Sequence, residues 1–310
     1  MCIAVWLALS IFLVLILSLI YLNSTDVYLS FFYDEEPVST LEPIIFKGKK
    51  NNKAVLCIHE LSGTPKSMVY IAEKLYELNK EKIDIFIPAM PLATDNESAY
   101  IKKKDSINYK LWLYFIINYY DMLFESGYKS ISVIGASIGG SLGLELSLVR
   151  NLECLVTISS PITLHGNHFR KKYLRNFMLH FSGLLSLFVK KVKTGKNDKQ
   201  GNELEKYEGI DGITDVKTTH SFKVGLKSLS KKLYKVTTPI LAFHAKQDKV
   251  IDYHNLYYIT NKVSSSYGIR YLFNINNDNI SRCHRLSNHL YTRDVIVTHI
   301  NNFFNMVGFL

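Results

Sequence analysis

The chain has 310 residues, 47% of them apolar, enough for one large α/β domain with an insertion or for two small domains. Its formal charge is +10, yet the lysines are scattered and no basic stretch is interleaved with stacking aromatics, so nucleic-acid binding is not expected. Cys2, Cys57, Cys154 and Cys283 form no C-x-x-C pair and no metal-ligand spacing, which argues against a disulfide framework and against a metal centre.

Ile3 to Leu22 carries no charge, and about 20 such residues are what a helix needs to cross a bilayer core. No Lys or Arg precedes the run, and Leu22 to Thr25 lacks a small-residue cleavage pattern, so it reads as an uncleaved anchor rather than a signal peptide. Residues 23–43, with Pro37 and Pro43, read as a stalk, and 44–310 as the folded domain. The first lysine is Lys47, while Asp26, Asp34, Glu35 and Glu36 follow the anchor. This leaves no basic signal to hold the domain inside, and the expectation is an extracytoplasmic domain.

Ile44–Phe46 is expected to start the domain as an edge strand. Ala54–Ile58 is a continuous apolar run, the pattern of a strand covered on both faces, and it leads into His59-Glu60-Leu61-Ser62-Gly63-Thr64-Pro65. A helical spacing at Met68, Ile71, Leu75 and Leu78 follows, then a strand at Ile83–Ile87. Leu111–Phe124 is an aromatic helix stopped at Gly127, Ser130–Ile134 a strand, and Leu155–Ile158 another. Strands alternating with helices predict a mostly parallel sheet.

From about residue 161 to 236 the alternation lapses, and a helical cap insertion over the strand ends is expected. Leu174, Phe177, Met178, Phe181, Leu184, Leu185 and Phe188 read as cap core, with a membrane-touching lid as the alternative. A basic, polar stretch runs from Lys190 to Lys199, and Leu226, Leu229 and Leu233 predict a short helix. The alternation then resumes with a strand at Ile240–His244, a helix at Asp252–Val263, a strand at Ile269–Ile275, a polar loop over 276–290 and a helix at Val295–Phe304.

One stretch gives these elements a purpose. Ser130 to Gly140 reads Ser-Ile-Ser-Val-Ile-Gly-Ala-Ser-Ile-Gly-Gly, a strand entering G-x-S-x-G with a helix straight after. So sharp a turn strains the serine backbone and pushes the side chain of Ser137 into the open, while flanking glycines remove the Cβ atoms that would collide. A serine hydroxyl needs an adjacent base, and the base needs an orienting acid. Asp248 follows the Ile240 strand and His284 the Ile269 strand, so three strand ends supply nucleophile, acid and base in the order Ser, Asp, His. Asp252 is the rival acid, although its place at the start of a helix reads as a cap, and His289 is the rival base. His59 reads as a turn-stabilising residue. The N–H groups of Ile138 and of the turn after His59, at Leu61, are placed to receive an oxyanion.

These residues resemble the α/β-hydrolase superfamily, and within it the capped carboxylesterases and monoglyceride lipases, from about residue 40 to the C-terminus. The resemblance rests on the strand–His59 turn with Gly63 and Pro65, on Gly-Ala-Ser-Ile-Gly-Gly, on Gln-Asp-Lys-Val around Asp248 and on the loop holding His284. It implies a mostly parallel eight-stranded sheet with flanking helices, a cap over an acyl pocket, no cofactor, and an acyl-ester or lipid substrate. Two departures stand out. The family has His-Gly where this chain has His59-Glu60, and Pro-Gly-His-Gly where it has Pro91-Leu92-Ala93-Thr94. The expected activity is ester hydrolysis through an acyl-enzyme on Ser137. Acyl transfer by the same residues, or a binding protein that has lost efficient catalysis at the Glu60 turn, are the alternatives.

Overall fold

The computed structural model describes residues 2–24, 39–48, 51–80, 82–102, 106–166, 172–193, 209–210, 212–275 and 283–310. In chain order the elements are α1 (Cys2–Ser24), β1 (Ile44–Phe46), β2 (Lys53–Ile58), α2 (Val69–Asn79), β3 (Asp84–Ile87), α3 (Glu97–Lys102), α4 (Tyr109–Glu125), β4 (Ser130–Ala136), α5 (Ile138–Leu146) and β5 (Leu155–Ile158). Then follow α6 (Lys172–His180), α7 (Ser182–Phe188), β6 (Lys191–Lys193), β7 (Ile213–Asp215), α8 (Val216–Ser230), β8 (Ile240–Ala245), α9 (His254–Lys262), β9 (Gly268–Phe273) and α10 (Arg293–Met306).

The main sheet runs β1-β3-β2-β4-β5-β8-β9, with β1 antiparallel to β3 and every other pair parallel. It has seven strands among the described residues, not the eight that the resemblance implies, because only the three-residue β1 precedes the first parallel strand. Both faces of the sheet are covered. Leu56, Ile58, Val133 and Leu155 pack on one side with Trp112, Leu142, Phe222 and Ile259, and Val55, Cys57, Ile134 and Val156 pack on the other with Ile71, Leu75, Ile296 and Phe304. Double coverage is why these strands are apolar throughout instead of alternating. Cys57, Cys154 and Cys283 are buried free thiols, and burial pushes the Cys154 thiol up to about 12.

Between β5 and β8 the chain builds α6, α7, the antiparallel β6–β7 hairpin and α8. Three expectations change here. The apolar run over Leu174–Phe188 breaks at Phe181 into two short helices, and none of the seven apolar residues named above is buried, although Leu179 between them is; Leu174, Phe177, Met178 and Phe188 are exposed. The basic stretch at Lys190 contains a strand. The short helix at Leu226 is a 15-residue one. It starts early because the Asp215 carboxylate accepts from Thr218 N at 2.8 Å, capping the first turn. Its buried face includes Thr218, His220 and Ser221, which hide the apolar period from the sequence.

At the other end, α1 extends from Cys2 to Ser24 and lies against α7. Its side chains are described only at positions 5–7 and 9–17, and among the described residues no helix is long and apolar enough to cross a membrane.

Candidate active site

β4 ends at Ala136 and α5 begins at Ile138, so a single residue makes the turn. Ser137 holds φ 50° and ψ −122°, a conformation that an L-residue adopts at a cost. Its N–H is tied to Ile158 O at 2.7 Å, which fixes the end of β4 against β5. A Cβ on Gly135 would stand 2.3 Å from Gly140 N, and one on Gly139 would stand 2.2 Å from Ile58 O, so both glycines are required by close backbone approach. Ser137 was expected in the open, but it keeps only 8% of its surface. His284 lies against its hydroxyl, and Ile158 holds its backbone.

The Ser137 hydroxyl lies 3.0 Å from His284 Nε2, and His284 Nδ1 lies 2.8 Å from Asp248 Oδ2. Ser137, Asp248 and His284 therefore meet from beyond the ends of β4, β8 and β9. Asp248 is fully buried. Its other oxygen, Oδ1, accepts from Val250 N at 2.8 Å and Ile251 N at 2.9 Å. Burial by itself pushes this carboxyl up, but the facing charge of His284 and the hydrogen bonds from His244 and His284 outweigh it and bring it down to about 2. The carboxylate is thus ionised at neutral pH.

The rivals are elsewhere. Asp252 Oδ1 accepts from His254 N at 3.0 Å and meets His254 Nδ1 at 2.7 Å, so its carboxylate is engaged at the start of α9, where the N-cap residue itself is Tyr253. His289 is buried, and its Nδ1 accepts from Tyr291 N at 3.3 Å within its own turn. Neither is joined to Ser137.

The turn after β2 is held by His59. Its Nδ1 donates to Glu60 O at 2.8 Å, its Nε2 accepts from Met90 N at 3.3 Å, and its ring meets Trp112 edge-on. Burial lowers its pKa, in keeping with a neutral ring of fixed tautomer. The carboxylate of Glu60 folds back over this turn. Glu60 Oε2 accepts from Ser67 Oγ at 2.8 Å, Oε1 lies 3.9 Å from Arg285 Nε, and a Cβ on Gly63 would fall 2.6 Å from the carboxylate carbon. Glu60 therefore fills the space that Gly63 leaves and faces the residue next to His284. The same turn lies against the first turn of α5, since a Gly139 Cβ would be 3.1 Å from His59 O. Ile138 is the first residue of that helix and so one whose N–H has no intrahelical partner, and Leu61 follows Glu60 in the adjoining turn.

At the second departure Leu92 adopts φ 64°, carrying with a side chain the left-handed turn that a glycine takes without strain. Its neighbour Pro91 accepts from Trp112 Nε1 at 2.8 Å. One member of the site was missed by the sequence reading: His244, at the end of β8, is buried with Nε2 3.0 Å from Asp248 Oδ2.

No family model matches the sequence. Solved structures do share its architecture. A metagenome-derived lipolytic enzyme from the LipS and LipT pair superposes with TM-score 0.67 at 17% identity, covering 87% of this chain and 99% of its own. The monoacylglycerol lipase of Paleococcus ferrophilus gives 0.65 at 13%, covering 86% and 98%. A soluble variant of the monoglyceride lipase of Saccharomyces cerevisiae, in complex with a substrate analog, gives 0.64 at 12%, covering 91% and 100%. With that breadth of coverage and a mostly parallel sheet with an insertion between β5 and β8, the chain has the α/β-hydrolase fold.

Proposed function

We propose that this chain is a serine hydrolase that cleaves carboxylic esters of acyl or lipid substrates. The observation that carries the reading is the unbroken line Ser137 Oγ–His284 Nε2–His284 Nδ1–Asp248 Oδ2, at 3.0 and 2.8 Å, on a strained strand-to-helix turn. In the reaction His284 takes the Ser137 proton as the oxygen attacks the ester carbonyl, then gives it to the departing alcohol. Asp248 holds the Nδ1 proton and stabilises the imidazolium. The N–H groups of Ile138 and Leu61 receive the oxyanion. Water, or an acceptor alcohol, then releases the acyl group from Ser137 with the same base.

Glu60 bears on the competing reading of a binding protein without efficient catalysis. Its carboxylate is engaged by Ser67 and faces Arg285, and this supports a turn that remains competent. A fluorophosphonate probe is expected to label the protein covalently, and Ser137→Ala to abolish labelling. Labelling that persists in Ser137→Ala removes the nucleophile assignment. A folded wild type that hydrolyses no ester of any acyl length returns the choice to the binding protein.

Residues 3–22 are read as the membrane anchor of this enzyme, with the hydrolase domain on the extracytoplasmic side. The uncharged run and the absence of lysine before Lys47 support that placement.

A further inference from the structure

His244 looks like an ordinary strand residue in Ile-Leu-Ala-Phe-His-Ala, yet its ring is 1% exposed and its Nε2 sits 3.0 Å from Asp248 Oδ2 and 3.3 Å from Ile251 O. A carbonyl accepts only, and so does an ionised carboxylate, so Nε2 carries the proton and donates. The contact follows from the turn after β8. Asp248 N bonds back to Ala245 O at 3.1 Å, returning the acid over the residue four positions before it. The oxygen that His244 reaches is the one that takes His284 Nδ1.

The carboxylate is thus gripped at both oxygens, by two backbone N–H groups on Oδ1 and by two imidazoles on Oδ2. We infer that His244 is a positioning residue for the proposed hydrolytic centre: its bond to Asp248 Oδ2 fixes the rotation of the carboxylate and sets how strongly that carboxylate supports the protonated form of His284. The inference rests on the reading of Ser137, His284 and Asp248 as the working groups. A hydrogen bond to a charged oxygen lowers its basicity, so the donor on Oδ2 reduces the pull of Asp248 on the His284 proton. With that donor gone, the carboxylate pulls harder on the proton it shares with His284, and the onset of activity of the proposed centre moves to higher pH. The other ionisable groups around this carboxylate are Lys246, Lys249 and Asp252 on its own connection, Cys283 and Arg285 beside His284, and Arg175 of α6, which donates to Val250 O at 2.6 Å. All of them stay in place when His244 is changed, so a shift reports on His244.

The experiment uses the full chain as wild type, His244→Phe and His244→Gln. The pH dependence of fluorophosphonate labelling, and of kcat/KM for a soluble short-chain p-nitrophenyl ester, is measured for each. In His244→Phe the acidic limb moves up by about half a unit and the plateau falls roughly tenfold, with KM within about twofold because His244 does not touch substrate. Gln, whose amide donates at nearly the Nε2 position, keeps the wild-type limb. If the Phe variant does not fold, His244→Asn takes its place, since its amide is too short to reach Oδ2 and the same shift is expected. A folded Phe or Asn variant with an unmoved limb, or a Gln variant shifted as far as they are, overturns the inference while the hydrolase reading stands. A wild type that takes no label at any pH overturns that reading and the inference with it.

Discussion

Ser137 keeps φ 50° because the chain around it leaves no room to relax, and this makes the two glycines of the turn more exacting than the serine itself. In Gly135→Ala or Gly139→Ala the new methyl meets backbone, at Gly140 N or Ile58 O, and no side-chain rotation relieves it. Each substitution is expected to cost about 3 kcal/mol, read as a lower urea midpoint, and to slow probe labelling by displacing the hydroxyl from His284. Asp248 gives a second expectation. Its carboxyl falls from 3.8 to about 2 on folding, so the unfolded chain binds more protons between those values and stability rises with pH there. The contribution is complete above about pH 4 and is lost as pH drops through about 2; thermal unfolding of Asp248→Asn is expected to show a shallower slope across that window than wild type. These residues were legible from the sequence because each combines a reactive type with a strand end. His244 was not, because a buried histidine inside Ile-Leu-Ala-Phe-His-Ala has the pattern of a packed strand, and only the turn back to Asp248 reveals its partner. The Glu60 departure was visible, but where its carboxylate points was decided by Gly63, Ser67 and Arg285, which no local pattern encodes.

Among the elements, the central parallel strands were placed to within a residue or two because coverage on both faces writes an unbroken apolar run, whereas β9 at the sheet edge is largely exposed. The insertion was harder to read, since its helices bury polar groups and expose apolar ones. The α8 helix shows what holds it down: a Cβ on Gly225 would stand 2.3 Å from the Tyr109 ring of α4. Gly225→Leu is therefore expected to lift α8 from α4, lowering thermal stability by an amount of order 2 kcal/mol and raising hydrogen exchange across both helices. Within the cap, His220 meets Ser182 Oγ at 3.2 Å, and burial together with the nearby Lys223 charge brings its pKa down to about 4. The unfolded ring titrates near 6.5, so between these values the unfolded state binds the extra proton and acid weakens the cap. Protection factors in α7 and α8, from exchange rates corrected for the intrinsic pH dependence of amide exchange, are expected to fall as pH drops from 6.5 toward 4, and His220→Gln to flatten the change; an equal fall in the variant places the acid sensitivity elsewhere.

At the scale of the molecule, apolar surface gathers on one side. The α1 helix lies against α7, and Phe177, Leu187 and Phe188 of α6 and α7 are exposed, where the cap-core expectation had buried the run. A soluble monomer rarely leaves so many large apolar groups together in water. If residues 3–22 span a bilayer, α7, which lies against α1, comes to the lipid surface with them. The deletion of residues 1–24 separates anchoring from chemistry. Full-length protein is expected to stay with membranes through alkaline carbonate, because an uncharged run of about 20 residues holds far more strongly than surface attraction. The shortened chain, which retains Ser137, Asp248 and His284, is expected to leave the membrane at that step and to hydrolyse a soluble short-chain ester at an unchanged kcat/KM. On vesicle-borne esters it is expected to be slower, since its substrate must then be found by diffusion to the bilayer. Carbonate release of the full-length chain sinks the anchor, whereas loss of soluble-ester activity in a folded shortened chain makes α1 part of the working cap.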